Sequence, residues 1–204
     1  MYGVVNYFAY DWQTFPEKRN VIDPERLNMY IYYNFSDKIQ FKSEIEFEHG
    51  GTGATMSFDP LEEFGEFEQE VAKGGEVITE QINLLFKINP SINVRVGKMR
   101  FYMGNASKQD KPKSYFTAYR SEVENTLLPL GWYETGIELS GDLHLSTNQY
   151  PYLSYKAYIV SGLDNTGFSS QNWIRRGYQK RFETINADNL AYALRLDVML
   201  RQDS

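Results

Sequence analysis

The chain has 204 residues and a net charge of -6 with a pI near 5.1. It lacks the cation excess that phosphate neutralisation needs, which excludes nucleic acid as a general partner. It contains no Cys, which removes disulfides, thiolate zinc sites and cysteine nucleophiles. Hydrophobic residues make up 42% and mean hydropathy is -0.53; no run approaches the about eighteen apolar residues of a membrane helix, a test that does not exclude a membrane β-barrel, whose strands alternate.

In chain order, Met1-Tyr2-Gly3-Val4-Val5 lacks the charged and apolar regions of a secretory signal. The chain is therefore expected to be cytosolic, processed or a fragment, and the remaining pattern favours a fragment. A strand is expected over 3–10, with apolar residues on both faces. Over 26–35 alternation is strict: Leu27, Met29, Ile31, Tyr33 and Phe35 point one way, and Arg26, Asn28, Tyr30, Tyr32 and Asn34 the other. After the tight turn Ser36-Asp37-Lys38, Ile39, Phe41, Ile45 and Phe47 oppose Gln40, Lys42, Glu44, Glu46 and Glu48. Further strands are expected over 76–89, 92–101, 132–145, 153–162 and 190–201. That makes about eight strands, most of them longer than the usual five or six residues and long enough to cross a bilayer at a tilt, which takes about nine to eleven.

The connections take turns in length. Short ones are expected at 36–38, 89–91 and 146–152, and long ones at 11–25, 50–75, 102–131 and 163–189. Small turns on one rim and large loops on the other describe an outer-membrane barrel. In that reading the apolar face meets lipid, and Arg26, Lys42, Glu44, Glu46, Glu48, Arg95, Glu134, Glu138, Asp142, Lys156, Arg195 and Asp197 line a wet lumen. Otherwise, the polar face is the solvated exterior of a sandwich. Aromatic residues are 16% of the chain, with 16 Tyr. Phe101, Tyr102, Trp132, Tyr133, Tyr150, Tyr152 and Tyr155 fall near strand ends, as a headgroup girdle does. Glu80 shares a face with Ile78, Ile82, Leu84 and Phe86, which calls for a bulge nearby or a place at headgroup level.

Several phrases in order resemble the phosphate-selective porin O and P family: Glu44 to Gly51 (EIEFEHGG), Gly74-Gly75-Glu76-Val77 followed by Glu80-Gln81, Asn93 to Met99 (NVRVGKM), and Trp132 to Ile137 (WYETGI). The similarity spans residues 24 to 162. It implies an all-β, antiparallel up-and-down transmembrane β-barrel in the outer membrane, with passive diffusion as its activity and no cofactor. It also implies a homotrimeric parent and a long third loop folded inward. Here that loop is 102–131, with a short helix expected over 119–128 ended by Pro129. Such porins have about sixteen strands, so residues 1–204 are read as about eight strands of a single larger barrel domain, truncated at both ends, with a complete small eight-stranded barrel as the alternative by count. The ending Met199 to Ser204 lacks a terminal aromatic residue. A half-barrel with two unpaired edges is not expected to function alone. The mixed, carboxylate-rich lumen set argues against phosphate selectivity.

Other chemistry is thinner. His49-Gly50-Gly51 has no Ser elbow to serve, and Ser140 and His144 lie four apart on one strand, about 13 Å at roughly 3.3 Å per residue. No catalytic residue is assigned, and with two His no transition-metal site is expected. Asp59, Glu62, Glu63, Glu66, Glu68 and Glu70 make an acidic loop, read as a solvated surface rather than a calcium site. Gly50-Gly51-Thr52-Gly53, with no helix after it, is no phosphate cradle. Lys108, Lys111, Lys113 and Arg120 in the third loop are candidate constriction cations or contacts to lipopolysaccharide phosphate. Arg175, Arg176, Lys180 and Arg181 carry the same two readings at lower rank. The expected function is a porin wall passing small polar or ionic solutes, with outer-membrane lipid and lipopolysaccharide as neighbours. Selectivity is expected from a field between Arg26, Lys42, Arg95 and Arg195 on one side and Glu44, Glu46, Glu48, Glu134 and Glu138 on the other. The alternatives are a soluble β-sandwich or barrel binding carbohydrate through its aromatics, and an outer-membrane esterase using Ser140.

Overall fold

The computed structural model describes residues 1–9, 13, 20–51, 54–59, 68–104, 115, 126–129, 131–144, 152–171, 173–178, 188 and 190–200, with 54–59 and 68–73 described in backbone only. The strands in these residues are β1 (Tyr2–Phe8), β2 (Val21–Ser36), β3 (Ile39–Glu48), β4 (Ala54–Asp59), β5 (Glu68–Lys73), β6 (Val77–Asn89), β7 (Ile92–Arg100), β8 (Tyr133–His144), β9 (Tyr152–Val160) and β10 (Ala191–Met199). Eight of them form one antiparallel sheet in the order β1-β2-β3-β6-β7-β8-β9-β10, and β4 and β5 pair separately. The order is up-and-down, as expected. Among the described residues β1 and β10 are unjoined edges, so the sheet is not closed. Helix is confined there to short pieces, including two 3-10 turns at Asn165–Gly167 and Arg175–Gly177.

The chain divides into two compact units, Met1–Tyr30 with Glu44–Thr79, and Ile31–Ser43 with Glu80–Ser204. In the first, β2 begins at Val21, inside the span expected to be a loop. Its register against β1 slips between the pairs Val4–Arg26 and Asn6–Asp23, so Pro24 and Glu25 stand against the single residue Val5. A bulge is where a strand tolerates proline, which has no N–H to give the ladder. The Glu48–Gly51 corner is tied by Gly51 N–H to the Glu48 carbonyl (2.9 Å) and His49 N–H to the Glu25 carbonyl (3.0 Å). Three successive positive φ angles, at His49, Gly50 and Gly51, turn the chain there. The expected loop over 50–75 contains the β4–β5 hairpin, whose register sets Asp59 against Glu68 and Ser57 against Glu70.

In the second unit β8 pairs with β7 over Tyr133–Ser140 and with β9 over Gly136–His144. The Asn89–Ser91 turn closes with Ser91 N–H donating to Asn89 Oδ1 (2.9 Å). Gly97 and Gly136 face each other across β7 and β8, and each allows a neighbouring strand to approach closer than a Cβ would permit. The apolar core is small: Phe101, Tyr158 and Val160, with Trp132, Ala191 and Ala193 packed on it. This corrects the aromatic girdle at one end. Phe101 is buried, with its ring 4.9 Å from that of Tyr158 and 5.0 Å from that of Trp132, and Tyr133 is buried as well. Tyr150 lies outside the described residues, as does the helix expected over 119–128 apart from its last three positions, where Thr126 and Leu127 are helical.

Candidate pore-lining face

Alternation along each strand sorts side chains onto two faces, and burial runs opposite to that of a water-soluble sheet. On β10, Tyr192, Leu194, Leu196 and Val198 are 73, 67, 57 and 58% exposed, while Ala193, Arg195 and Asp197 between them are half-buried. On β8, Ile137, Leu139 and Leu143 are exposed and Glu134, Glu138 and Ser140 are buried. In the first unit Leu27 and Met29 are exposed while Asn28, Glu44 and Glu46 are buried. Soluble proteins almost never bury carboxylates without partners while leaving rows of Leu and Ile in water. Glu80 and Gln81 are buried in succession, so the period-two phase changes there, as a bulge produces. That favours the bulge over the headgroup position.

The first unit's polar face centres on Asn28. Its amide donates to Glu44 Oε1 at 3.2 Å and Glu46 Oε2 at 2.7 Å, bridging two carboxylates that β3 places on one face by their spacing of two. Arg26, two residues before Asn28, pairs with Glu46 (3.3 Å) and Glu25 (3.2 Å). Asn6 of β1 donates to Glu25 at 2.5 Å. Glu48 closes the same row, half-buried. Beyond the strand end, His49 Nδ1 lies 2.8 Å from Asp23 Oδ1. The hydrogen bond to Asp23 raises the His49 pKa above its ordinary value, outweighing the opposing effect of its partial burial.

The second unit's polar face centres on Glu138, 1% exposed. The β7–β8 register sets Arg95 directly opposite it, with Nε 3.4 Å from Oε1, and β9 brings Lys156 Nζ to 3.7 Å. Ser140 Oγ donates to the same oxygen at 3.1 Å, and Arg95 Nη1 donates to Asn83 Oδ1 at 3.0 Å. Glu134 accepts from Trp132 Nε1 (2.6 Å) and Ser161 Oγ (2.8 Å). On β10 the guanidinium of Arg195 grips Asp197, with Nη2 to Oδ1 at 2.8 Å. Asp142 is half-buried near the end of β8, and the Lys42 ammonium stands 5.7 Å above the Tyr32 ring.

Each lumen candidate therefore falls on a polar strand face, but the expected separation of charge is not what the side chains form. Arg26 sits on Glu46, and Arg95 with Lys156 on Glu138. Cross-strand register, which single-strand alternation does not contain, decides this. The neutral partners Asn83, Trp132 and Ser161 escaped sequence reasoning; Asn28 was legible only as a member of the polar row. Ser140, considered as a nucleophile, donates to Glu138, and His144 packs on the Tyr152 ring at 5.6 Å. Lys108, Lys111, Lys113 and Arg120 lie outside the described residues, as do Glu62, Glu63, Glu66, Lys180 and Arg181, whereas Arg175 and Arg176 begin a 3-10 turn. Among the described residues no three His, Cys, Asp or Glu side chains gather as a metal site requires, and no helix there is long and apolar enough to cross a membrane.

No protein-family model matches the chain and no solved structure matches it. An uncharacterized protein of Aquifex aeolicus (strain VF5) is 29% identical over 183 residues, covering 89% of this chain and 36% of that protein. The chain thus spans little more than a third of its relative's length.

Proposed function

We propose that this chain is a stretch of the wall of an outer-membrane porin, its apolar strand faces against lipid and its polar faces against a water-filled passage for small polar or ionic solutes. The observation that carries the reading is the inverted burial: on β10 the alternate apolar side chains are all more than half exposed while the charged ones between them are covered. In water such a face would aggregate; in hydrocarbon it is at rest, and every backbone polar group paired along the sheet is satisfied without solvent. The porin-like phrases and the long strands point the same way.

Passage is by diffusion, graded by width and by local charge. Both units carry charge of both signs. In the first, Arg26 pairs with Glu25 and Glu46; in the second, Arg95 and Lys156 flank Glu138, and Arg195 pairs with Asp197. A solute therefore meets fixed charge of both signs, which suits small polar or ionic solutes of either charge better than a dedicated phosphate site. In this reading the edges β1 and β10 pair with further strands of a longer parent, a homotrimer surrounded by lipopolysaccharide. The test is planar-bilayer recording of the full-length protein. Steady ohmic steps support the proposal; silence under conditions where a control porin conducts, together with full solubility without detergent, refutes it and leaves the soluble ligand-binding sheet.

A further inference from the structure

Phe101 extends the β7–β8 ladder by one residue, and the three residues after it turn toward β9 and β10. The Phe101 ring packs on Tyr158 of β9, the Lys156 ammonium of β9 stands 5.2 Å above the Tyr102 ring, and the Gly104 carbonyl accepts a hydrogen bond from Arg195 Nη1 of β10. β10 lies three strands away from β7 in the sheet order, a distance of about 14 Å at about 4.8 Å per strand. Phe101 N–H still donates to the Trp132 carbonyl beside β8 (2.8 Å), so the chain leaves the ladder only after Phe101, and Tyr102–Gly104, at most about 3.6 Å per residue, meets the long Arg195 side chain reaching back from β10. This segment lies on the polar face, because the residues that hold it are those of the Lys156 and Arg195 row. Gly104, at φ 61, supplies the left-handed turn that a side chain would resist. Arg195 is well placed as an anchor, because Asp197 takes its Nε and Nη2 edge and orients the planar fork so that Nη1 is aimed at the carbonyl.

We propose that Arg195, oriented by Asp197, is a positioning residue that latches the Tyr102–Gly104 strap on the polar face, with Lys156 as its second pin, so that both cations set the width of the passage rather than its charge preference. The consequence for width rests on the porin reading; the latch itself does not, and the two are tested separately. This chain has no cysteine, so Tyr102→Cys with Lys156→Cys, in the full-length, detergent-folded protein with any cysteine outside this stretch replaced by Ser, offers one thiol pair to a short bifunctional reagent. Rapid cross-linking is expected. Adding Arg195→Ala is expected to lower its rate about tenfold, the population change that about 1.4 kcal/mol produces. No cross-link in the double-cysteine protein, or an unchanged rate with Arg195→Ala, overturns the latch whether or not the protein conducts. In bilayers, Arg195→Ala on the cysteine-free background is expected to admit larger neutral solutes while the cation-to-anion permeability ratio stays within about twofold. The opposite pattern, a shifted ratio at an unchanged size limit, returns Arg195 to the role of a lining charge and overturns the proposal. A non-conducting parent overturns the porin reading alone, and the cross-linking rates still decide the latch.

Discussion

Substituting Arg along the exposed row of β10 separates hydrocarbon from water as the medium outside this sheet. Tyr192, Leu194, Leu196 and Val198 alternate on one face of a nine-residue strand, with Leu194 and Leu196 on either side of its centre and Tyr192 and Val198 near its ends. If lipid surrounds the row, Leu194→Arg and Leu196→Arg place a charge near the bilayer midplane and cost about 2–4 kcal/mol each, while Tyr192→Arg and Val198→Arg cost about 0–1 kcal/mol. If water surrounds it, all four are surface substitutions within about 0.5 kcal/mol, and any trend runs toward better solubility. Leu194 stands opposite Ala157, Tyr192 opposite Ile159 and Leu196 opposite Tyr155, so small cross-strand differences are expected on top of the depth profile without inverting it. The assay is reversible guanidinium unfolding of the full-length protein from phospholipid vesicles, followed by tryptophan fluorescence. A central maximum of about 2 kcal/mol or more above the strand ends is the expected result. A flat profile refutes the assignment of this face to lipid, whatever the protein does in a conductance experiment.

Three further perturbations follow from the polar faces and corners. Glu138→Gln leaves Arg95 and Lys156 facing each other without their shared carboxylate; those two side chains are 23 and 28% exposed, so water recovers part of the loss and destabilisation of about 1–3 kcal/mol is expected as a lowered guanidinium midpoint. His49 has a folded-state pKa raised by its hydrogen bond to Asp23, with Glu48 and Glu25 adding to the effect. The pair's contribution is therefore fully present below pH about 6.5 and lost as pH rises through the raised value. At 60% side-chain exposure it amounts to less than about 1 kcal/mol. Proton NMR of His49 should show the raised titration, and Asp23→Asn should bring it back toward the ordinary value. Gly97→Ala combines a φ of 123° with a Cβ placed 2.4 Å from the Ile82 carbonyl oxygen; the backbone strain alone is about 1–3 kcal/mol, and loss of refolding yield is the expected readout.

Strand positions were legible wherever one face repeats without interruption. The alternation over 39–48 became β3, and the expectations over 92–101 and 132–145 became β7 and β8 with ends moved by one residue. Legibility failed where a local signal contradicted the tertiary outcome. Pro24 and the paired Val21-Ile22 hid the first turns of β2, because proline is usually a strand stop and only pairing with β1 reveals that it sits on a bulge. The β4–β5 hairpin was hidden by its own charge. Its register sets Asp59 opposite Glu68, an arrangement that cross-strand preferences disfavour, so acidic composition read as loop. Phe101 and Tyr133 were misplaced for a different reason: an aromatic residue at a strand end satisfies a headgroup girdle and an interior cluster equally well until its neighbours are known.

The candidate site shows the same divide between what lies along one strand and what crosses to the next. Which residues share the polar face follows from parity, so Glu44 with Glu46 and Glu134 with Glu138 were assigned together. Which charges touch follows from register and from connections such as the strap after β7, and neither is written within a strand. The expected field, cations against carboxylates, gave way to Arg95 and Lys156 on one Glu138 oxygen and to Arg26 on Glu46. Locally paired charges are the arrangement a half-covered face requires. Burying Glu138 to 1% exposure without a cation in contact would cost several kcal/mol, whereas a cation on each neighbouring strand offsets that cost and still presents charge to the passage. A wall built this way offsets the burial of its carboxylates through its own neighbours, so substitution of Arg95 should alter the stability of the sheet as well as any selectivity it confers.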